Sequence, residues 1–241
     1  MKGWNEAERA RGQNTPAVQT GSQPAQQRVC TPYQLQCEAD DVYGCYSDGS
    51  EWLYVTSCPY GCQNGQCMTL KESNELRLCD KIQSTSPTVR TLAASLVAPT
   101  SGPWNDAQLI SLFTWMKSNI YYVAHPTSDN TAEETISMRQ GDCEDQAVLI
   151  VSMVRSVGGS AKLIGDPSCN HAFAIVYLGS RNQYQQVANS LAFQYGSSRL
   201  VHAWHDLTTD EYWLVVDPAG GAYVGDILTS CEFTKPIVLD C

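Results

Sequence analysis

Residues 138–161 open as Met138-Arg139-Gln140-Gly141-Asp142-Cys143-Glu144-Asp145-Gln146-Ala147 and close, after an apolar run, on Gly158-Gly159-Ser160-Ala161. The pattern predicts a glycine turn followed by a helix whose first turn carries Cys143. Ala147, Val148, Leu149, Ile150, Val151, Met153, Val154 and Val157 make that helix apolar nearly all round, which predicts burial. Gly158-Gly159 end it, because glycine takes the left-handed conformation that a helix terminus needs. A thiol in the first turn sits at the positive end of the helix dipole, which favours thiolate. Asp142, Glu144 and Asp145 push the other way, so Cys143 needs an imidazolium beside it to ionise. Downstream there are two candidates, in Asn170-His171-Ala172-Phe173 and in Val201-His202-Ala203-Trp204. Both precede Tyr212-Trp213-Leu214-Val215-Val216-Asp217-Pro218, so the chain order is thiol, histidine, aspartate, as in a nucleophile–base–orienter set.

The eleven cysteines bear on redox compartment. With Cys143 set aside as a reactive thiol, ten remain, enough for five disulfides. That arithmetic points to an exported, extracellular or cell-surface protein, or to a disulfide-rich hyperthermophile cytoplasm. Paired C-x-x-C zinc knuckles do not occur, Cys58 and Cys62 being the closest approach, and neither metal nor cofactor is expected. The net charge of -10 argues against nucleic acid as main partner. No apolar run approaches membrane-spanning length. The first residues hold no secretory signal core, so an export leader is expected to lie outside this sequence.

Working outward, residues 1–28 are rich in Gln, Ala, Thr, Gly and Ser and have no period. They read as a disordered tether from an anchor, or as a tail with an expression remnant. Residues 29–68 carry six cysteines among Pro, Gly, Asp and aromatics, with a strand-like piece at Glu51–Val55. A segment this small should be held by three internal bridges rather than by a core, as a docking module or a protective cap. In residues 69–241, a partly helical linker bears Cys79. Leu109, Leu112, Phe113 and Met116 predict a helix packed along the central one, and Trp115 reads as a core, surface or site-lining residue. Asn130-Thr131-Ala132-Glu133-Glu134 reads as a cap and an acidic first turn. Strands are expected at Ala161–Ile164 and from His171, a crossover helix over 182–195, and a hairpin of 200–207 with 212–216. The tail to Cys231 and Cys241 should wrap back and be stapled.

The stretch from about Asn119 to Pro218 resembles the transglutaminase-like core of the papain-like cysteine enzymes, of archaeal or bacterial type. The matching pieces are Asn119-Ile120-Tyr121-Tyr122, Arg139-Gln140-Gly141-Asp142-Cys143-Glu144-Asp145, Val154-Arg155-Ser156-Val157-Gly158, His171-Ala172-Phe173 and Trp213-Leu214-Val215-Val216-Asp217-Pro218. The resemblance implies an α+β fold in which the cysteine helix packs on an antiparallel sheet. It also implies a triad of Cys143, a histidine and Asp217 that transfers acyl groups from amides of a protein, peptide or cell-wall peptide. Water as acceptor makes a peptidase or amidase, and a lysine amine makes a transglutaminase. A non-catalytic binding module keeping the fold is the alternative. His171 is the expected base, since it opens the first long strand after the helix. His202 stays open, because the hairpin brings it close to Asp217.

Overall fold

The computed structural model describes residues 28–125, 129–196, 199–231 and 236–241. The tether expected over residues 1–28 therefore lies, apart from Arg28, outside the described residues. The chain divides into two units, Met1–Cys67 and Met68–Cys241.

In the first unit, β1 (Leu35–Glu38), β2 (Asp41–Cys45) and β3 (Trp52–Ser57) form an antiparallel sheet in that order. A short hairpin, β4 (Cys62–Gln63) with β5 (Gln66–Cys67), turns through Asn64 and Gly65, both at positive φ (53° and 77°). That is the Asn-Gly turn whose twist suits a hairpin. Few apolar side chains are buried here, chiefly Val42. Disulfides Cys30–Cys45, Cys37–Cys62 and Cys58–Cys67 supply what the core lacks.

The second unit holds α1 (Leu70–Leu78), α2 (Pro87–Val97), α3 (Asp106–Asn119), β6 (Tyr121–Tyr122), α4 (Ala132–Met138), β7 (Gln140–Gly141) and α5 (Cys143–Ser156). It continues with β8 (Ala161–Asp166), β9 (His171–Gly179), α6 (Arg181–Tyr195), β10 (Ala203–Asp206), β11 (Glu211–Val216) and β12 (Ile237–Leu239). The central helix is α5, packed by α2, α3 and α4 on its outer side and by β8 and β9 beneath. Its residues from Ala147 to Val151, with Met153 and Val154, are at most 1 % exposed, so the all-round apolar pattern ends in all-round burial. The helix stops at Val157, and Gly158 follows at φ 93°.

The sheet runs β10-β11-β9-β8-β12, and every neighbouring pair is antiparallel. Alternation along the strands splits its faces. Leu163, Ala172, Ala174, Val176, Leu214 and Val216 join the helical core, while Ile164, Phe173, Ile175, Trp213 and Val215 form a second cluster. Crossover helix α6 returns the chain so that β10 lies parallel to β9, with β11 between them. Three features go beyond the sequence reading. The strand expected from Leu200 starts only at Ala203. Tyr121–Tyr122 pairs parallel with Gln140–Gly141, setting the chain just before Cys143. The tail, stapled as expected by Cys79–Cys241 and Cys169–Cys231, also adds β12 as an edge strand on β8.

Candidate functional site

Cys143 is the first residue of α5, where a backbone N–H has no partner four residues back. Asp142 precedes it as N-cap, accepting from the Asp145 N–H while the Asp145 carboxylate accepts from the Asp142 N–H. This reciprocal box fixes the first turn. Gly141 is required at the entry, because a Cβ there would stand 2.6 Å from the Asp145 Cβ. The fully buried Asp145 carboxylate also accepts from the Asn130 backbone N–H at 2.6 Å and side-chain amide at 2.9 Å, and bonds the His125 ring.

The thiol of Cys143 is the one free thiol among the eleven cysteines, and it is buried. It donates to Glu144 Oε2 at 2.8 Å, and the backbone N–H of Ala172, in β9, faces the sulfur. Burial pushes its pKa up to about 12, and the hydrogen bond and charge of Glu144 and the charge of Asp142 add to that; the Ala172 N–H pulls the other way. Desolvation and neighbouring carboxylates thus outweigh the helix dipole. Asp142 is itself raised, by burial first and then by Asp145 and Glu144.

Next to Ala172 in β9 stands His171. Its Nε2–H donates to Asp217 Oδ2 at 2.8 Å, and both residues are buried. Asp217 follows the last residue of β11. Its Oδ1 accepts from the Gly220 N–H at 2.8 Å and its Oδ2 also from the Leu228 N–H at 3.0 Å. With Nε2 as donor, Nδ1 of the neutral ring is left as acceptor. His202 lies differently: its backbone carbonyl accepts from Val215, and its Nδ1 and its backbone N–H both bind the Gly225 carbonyl. The ring that meets Asp217 is therefore that of His171. Among the described residues the thiol's hydrogen bond runs to Glu144, and none reaches the His171 ring.

A cavity of about 190 Å³ adjoins this cluster, lined among others by Asn74, Arg77, Glu144, Asp166, His171 and Ala172. From α1, Arg77 places Nη2 3.6 Å from the far oxygen of Glu144 and pairs with Asp129. Trp115 is half-buried under the Arg139 guanidinium, 5.1 Å from its ring centre.

His125 and Asp145 are the members that sequence reading missed. His125 stands in a stretch without period, and Asp145 reads as an ordinary first-turn acid. The signal was Asp142-x-x-Asp145, a capping box in which the second carboxylate has capacity left for other donors. His125, Asp142 and Asp145 bring three ligand-type atoms within 4.8 Å, but the Asp145 oxygens already accept from Asn130, Asp142 and His125, as in a structural knot.

The family model of the transglutaminase-like superfamily matches residues 90–218, from α2 to the residue after Asp217. The chain belongs to this superfamily. No curated protein matches the chain. Two solved structures resemble it: a candidate cysteine protease from Cytophaga hutchinsonii and a candidate protease from Parabacteroides distasonis. The first shares 16% identity at a TM-score of 0.38, over 68% of this chain and 43% of that one. The second shares 11% at 0.33, over 42% and 24%. This chain thus spans less than half the length of either. The superfamily's mixed α and antiparallel β core is here residues 90–218, with α5 lying on β8 and β9.

Proposed function

We propose that residues 69–241 form a thiol enzyme that transfers acyl groups from amide bonds, with Cys143 as nucleophile, His171 as base and Asp217 as orienter. Residues 29–68 would be a separate disulfide-held module. The observation that carries this reading is the buried His171–Asp217 pair, 2.8 Å apart, at the β9 end where the Ala172 N–H meets the free thiol of Cys143. His171 Nδ1 takes the thiol proton, and the sulfur attacks the amide carbonyl carbon. The C–N bond breaks as the imidazolium returns that proton to the leaving amine. Water then opens the thioester in a peptidase or amidase, and an amine opens it in a transglutaminase. Asp217 holds the ring in the tautomer with Nδ1 free, and the Cys143 backbone N–H is one donor for the oxyanion. A protein, peptide or cell-wall peptide is the substrate, and no metal or cofactor takes part. The five disulfides are those of an oxidising compartment, which supports export to the cell surface or medium.

Profiling peptides and cell-wall fragments with the wild type and Cys143→Ala tests this. Turnover should vanish in Cys143→Ala while the thermal transition stays. A second reading, a binding module that keeps the fold without catalysis, draws support from the thiol's raised pKa and its bond to Glu144. Iodoacetamide on the unreduced protein separates the two: one adduct, at Cys143, favours the enzyme, and none favours the module.

A further inference from the structure

The loop from Pro218 to Cys231 decides how the Asp217 carboxylate points, because two of its backbone N–H groups, at Gly220 and Leu228, grip the two oxygens. Its first half is well anchored. Gly221 donates to the Asp217 carbonyl, Gly225 donates to Val215 and accepts from His202, the Tyr223 hydroxyl reaches Leu200, and Ile227 is buried in the second core cluster. Its second half is not. Residues 228–231 are half or fully exposed; their ties among the described residues include the Leu228–Asp217 bond, the Cys231 N–H to the Leu228 carbonyl, the disulfide to Cys169 and the packing of that disulfide's Cys231 against the second cluster.

Cys169 lies in the turn between β8 and β9. It is followed by Asn170 at φ 49°, and then by His171 itself. The disulfide thus closes a ring: Cys169 to His171 along the chain, His171 Nε2 to Asp217 Oδ2, that same oxygen to the Leu228 N–H, Leu228 along the chain to Cys231, and Cys231 back to Cys169. The ladder alone brings the two strands together, pairing Ala174 with Val216, but it leaves the carboxylate rotamer to the loop.

Resting on the base assignment above, we infer that the Cys169–Cys231 disulfide positions the His171–Asp217 pair, so that this thiol enzyme needs an oxidised bridge beside its reduced nucleophile. Opening the bridge lets water compete with Leu228 for Asp217, and the imidazole loses its fixed partner. A dithiol does this by giving two electrons and two protons to the S–S bond, leaving two protein thiols and its own cyclic disulfide. Reductant, ordinarily added to protect a thiol enzyme, would then silence this one.

The test compares Cys169→Ser/Cys231→Ser with Cys79→Ser/Cys241→Ser, which opens the other bridge of the same unit, and with His171→Ala. The readout is the rate of Cys143 alkylation against pH, with the thermal transition recorded for each. The Cys169/Cys231 variant should alkylate at neutral pH at least about tenfold more slowly, with the profile of His171→Ala, while the Cys79/Cys241 variant loses stability and keeps the wild-type profile. A wild-type profile in the Cys169/Cys231 variant overturns the inference, as does equal loss in both variants. A normal profile in His171→Ala overturns the base assignment instead, and the inference with it. Should the serine variant not fold, wild type is reduced in graded dithiothreitol with the new thiols mapped. Reactivity at Cys143 should fall in step with free Cys169 and Cys231 and return on reoxidation; loss that tracks any other bridge overturns the inference.

Discussion

At Cys143 the start of a helix favours the thiolate, while burial and two adjacent carboxylates favour the thiol, and the balance lies far on the thiol side. Glu144 is the adjustable part of it. Its carboxylate accepts the thiol proton, sulfur to oxygen 2.8 Å, yet it also lines the cavity and has Arg77 3.6 Å from its other oxygen. Replacing Glu144 by Gln keeps the shape and removes a negative charge beside the sulfur. The thiol's pKa should drop below about 12, so that alkylation gains rate at pH 7–8 by roughly tenfold, one pKa unit being a factor of ten in thiolate. Stopped-flow or mass-spectrometric alkylation between pH 6 and 10 reads this as a rate gain at each pH, and an unchanged or lowered rate would show that the carboxylate does not hold the proton. The two histidines give a sharper contrast. His171→Ala should collapse the neutral-pH alkylation rate by about 10² or more, whereas His202→Ala, whose ring bonds the Gly225 carbonyl, should leave it within a few-fold. Collapse in His202→Ala alone would reassign the base.

At the scale of elements, strong periodic signals were the legible ones. The α5 run from Ala147 to Val157 is read directly as a buried helix, and β11 as a strand that leads to Asp217. A crossover helix such as α6 returns its strand parallel to β9, which leaves room for β11 antiparallel between the two. Short elements escaped, because the two residues of β6 and β7 and the three of β12 have no period and are set by tertiary pairing. The loop after Asp217 was equally opaque: its grip on the carboxylate is made by backbone N–H groups, which every residue type but proline carries. The structure puts Gly220 at a point of close approach. A Cβ on Gly220 would lie 2.6 Å from Asp217 Oδ2 and 2.7 Å from the Leu228 Cβ. Gly220→Ala should therefore displace the carboxylate and slow Cys143 alkylation toward the rate of Asp217→Ala. In the core, Leu149→Ala should destabilise the fold by about 2–5 kcal/mol, since Leu149 is fully buried in α5. Urea denaturation followed by tryptophan fluorescence measures that loss. A loss under 1 kcal/mol would mean that α5 is packed more loosely than its burial implies.

On the scale of the whole molecule, the disulfides are local to each unit. The three disulfides of residues 1–67 close within that unit, and the two of residues 68–241 close within theirs, so no bridge crosses the Cys67–Met68 boundary. Both buried apolar clusters draw all their members from Leu78 onward. The second unit therefore carries its own core and staples, and at its length burial can offset chain entropy without help from the first. Residues 68–241 expressed alone under oxidising conditions should fold, melt within a few degrees of the main transition of the full chain, and alkylate at Cys143 with the same pH profile. The first unit depends instead on its bridges, so reduction should unfold it before it touches the α5 core. Hydrogen exchange during graded reduction would show protection lost first in β1–β3 and retained in α5. Simultaneous loss in both, or a shortened chain that fails to fold, would mean that the two units form one cooperative body.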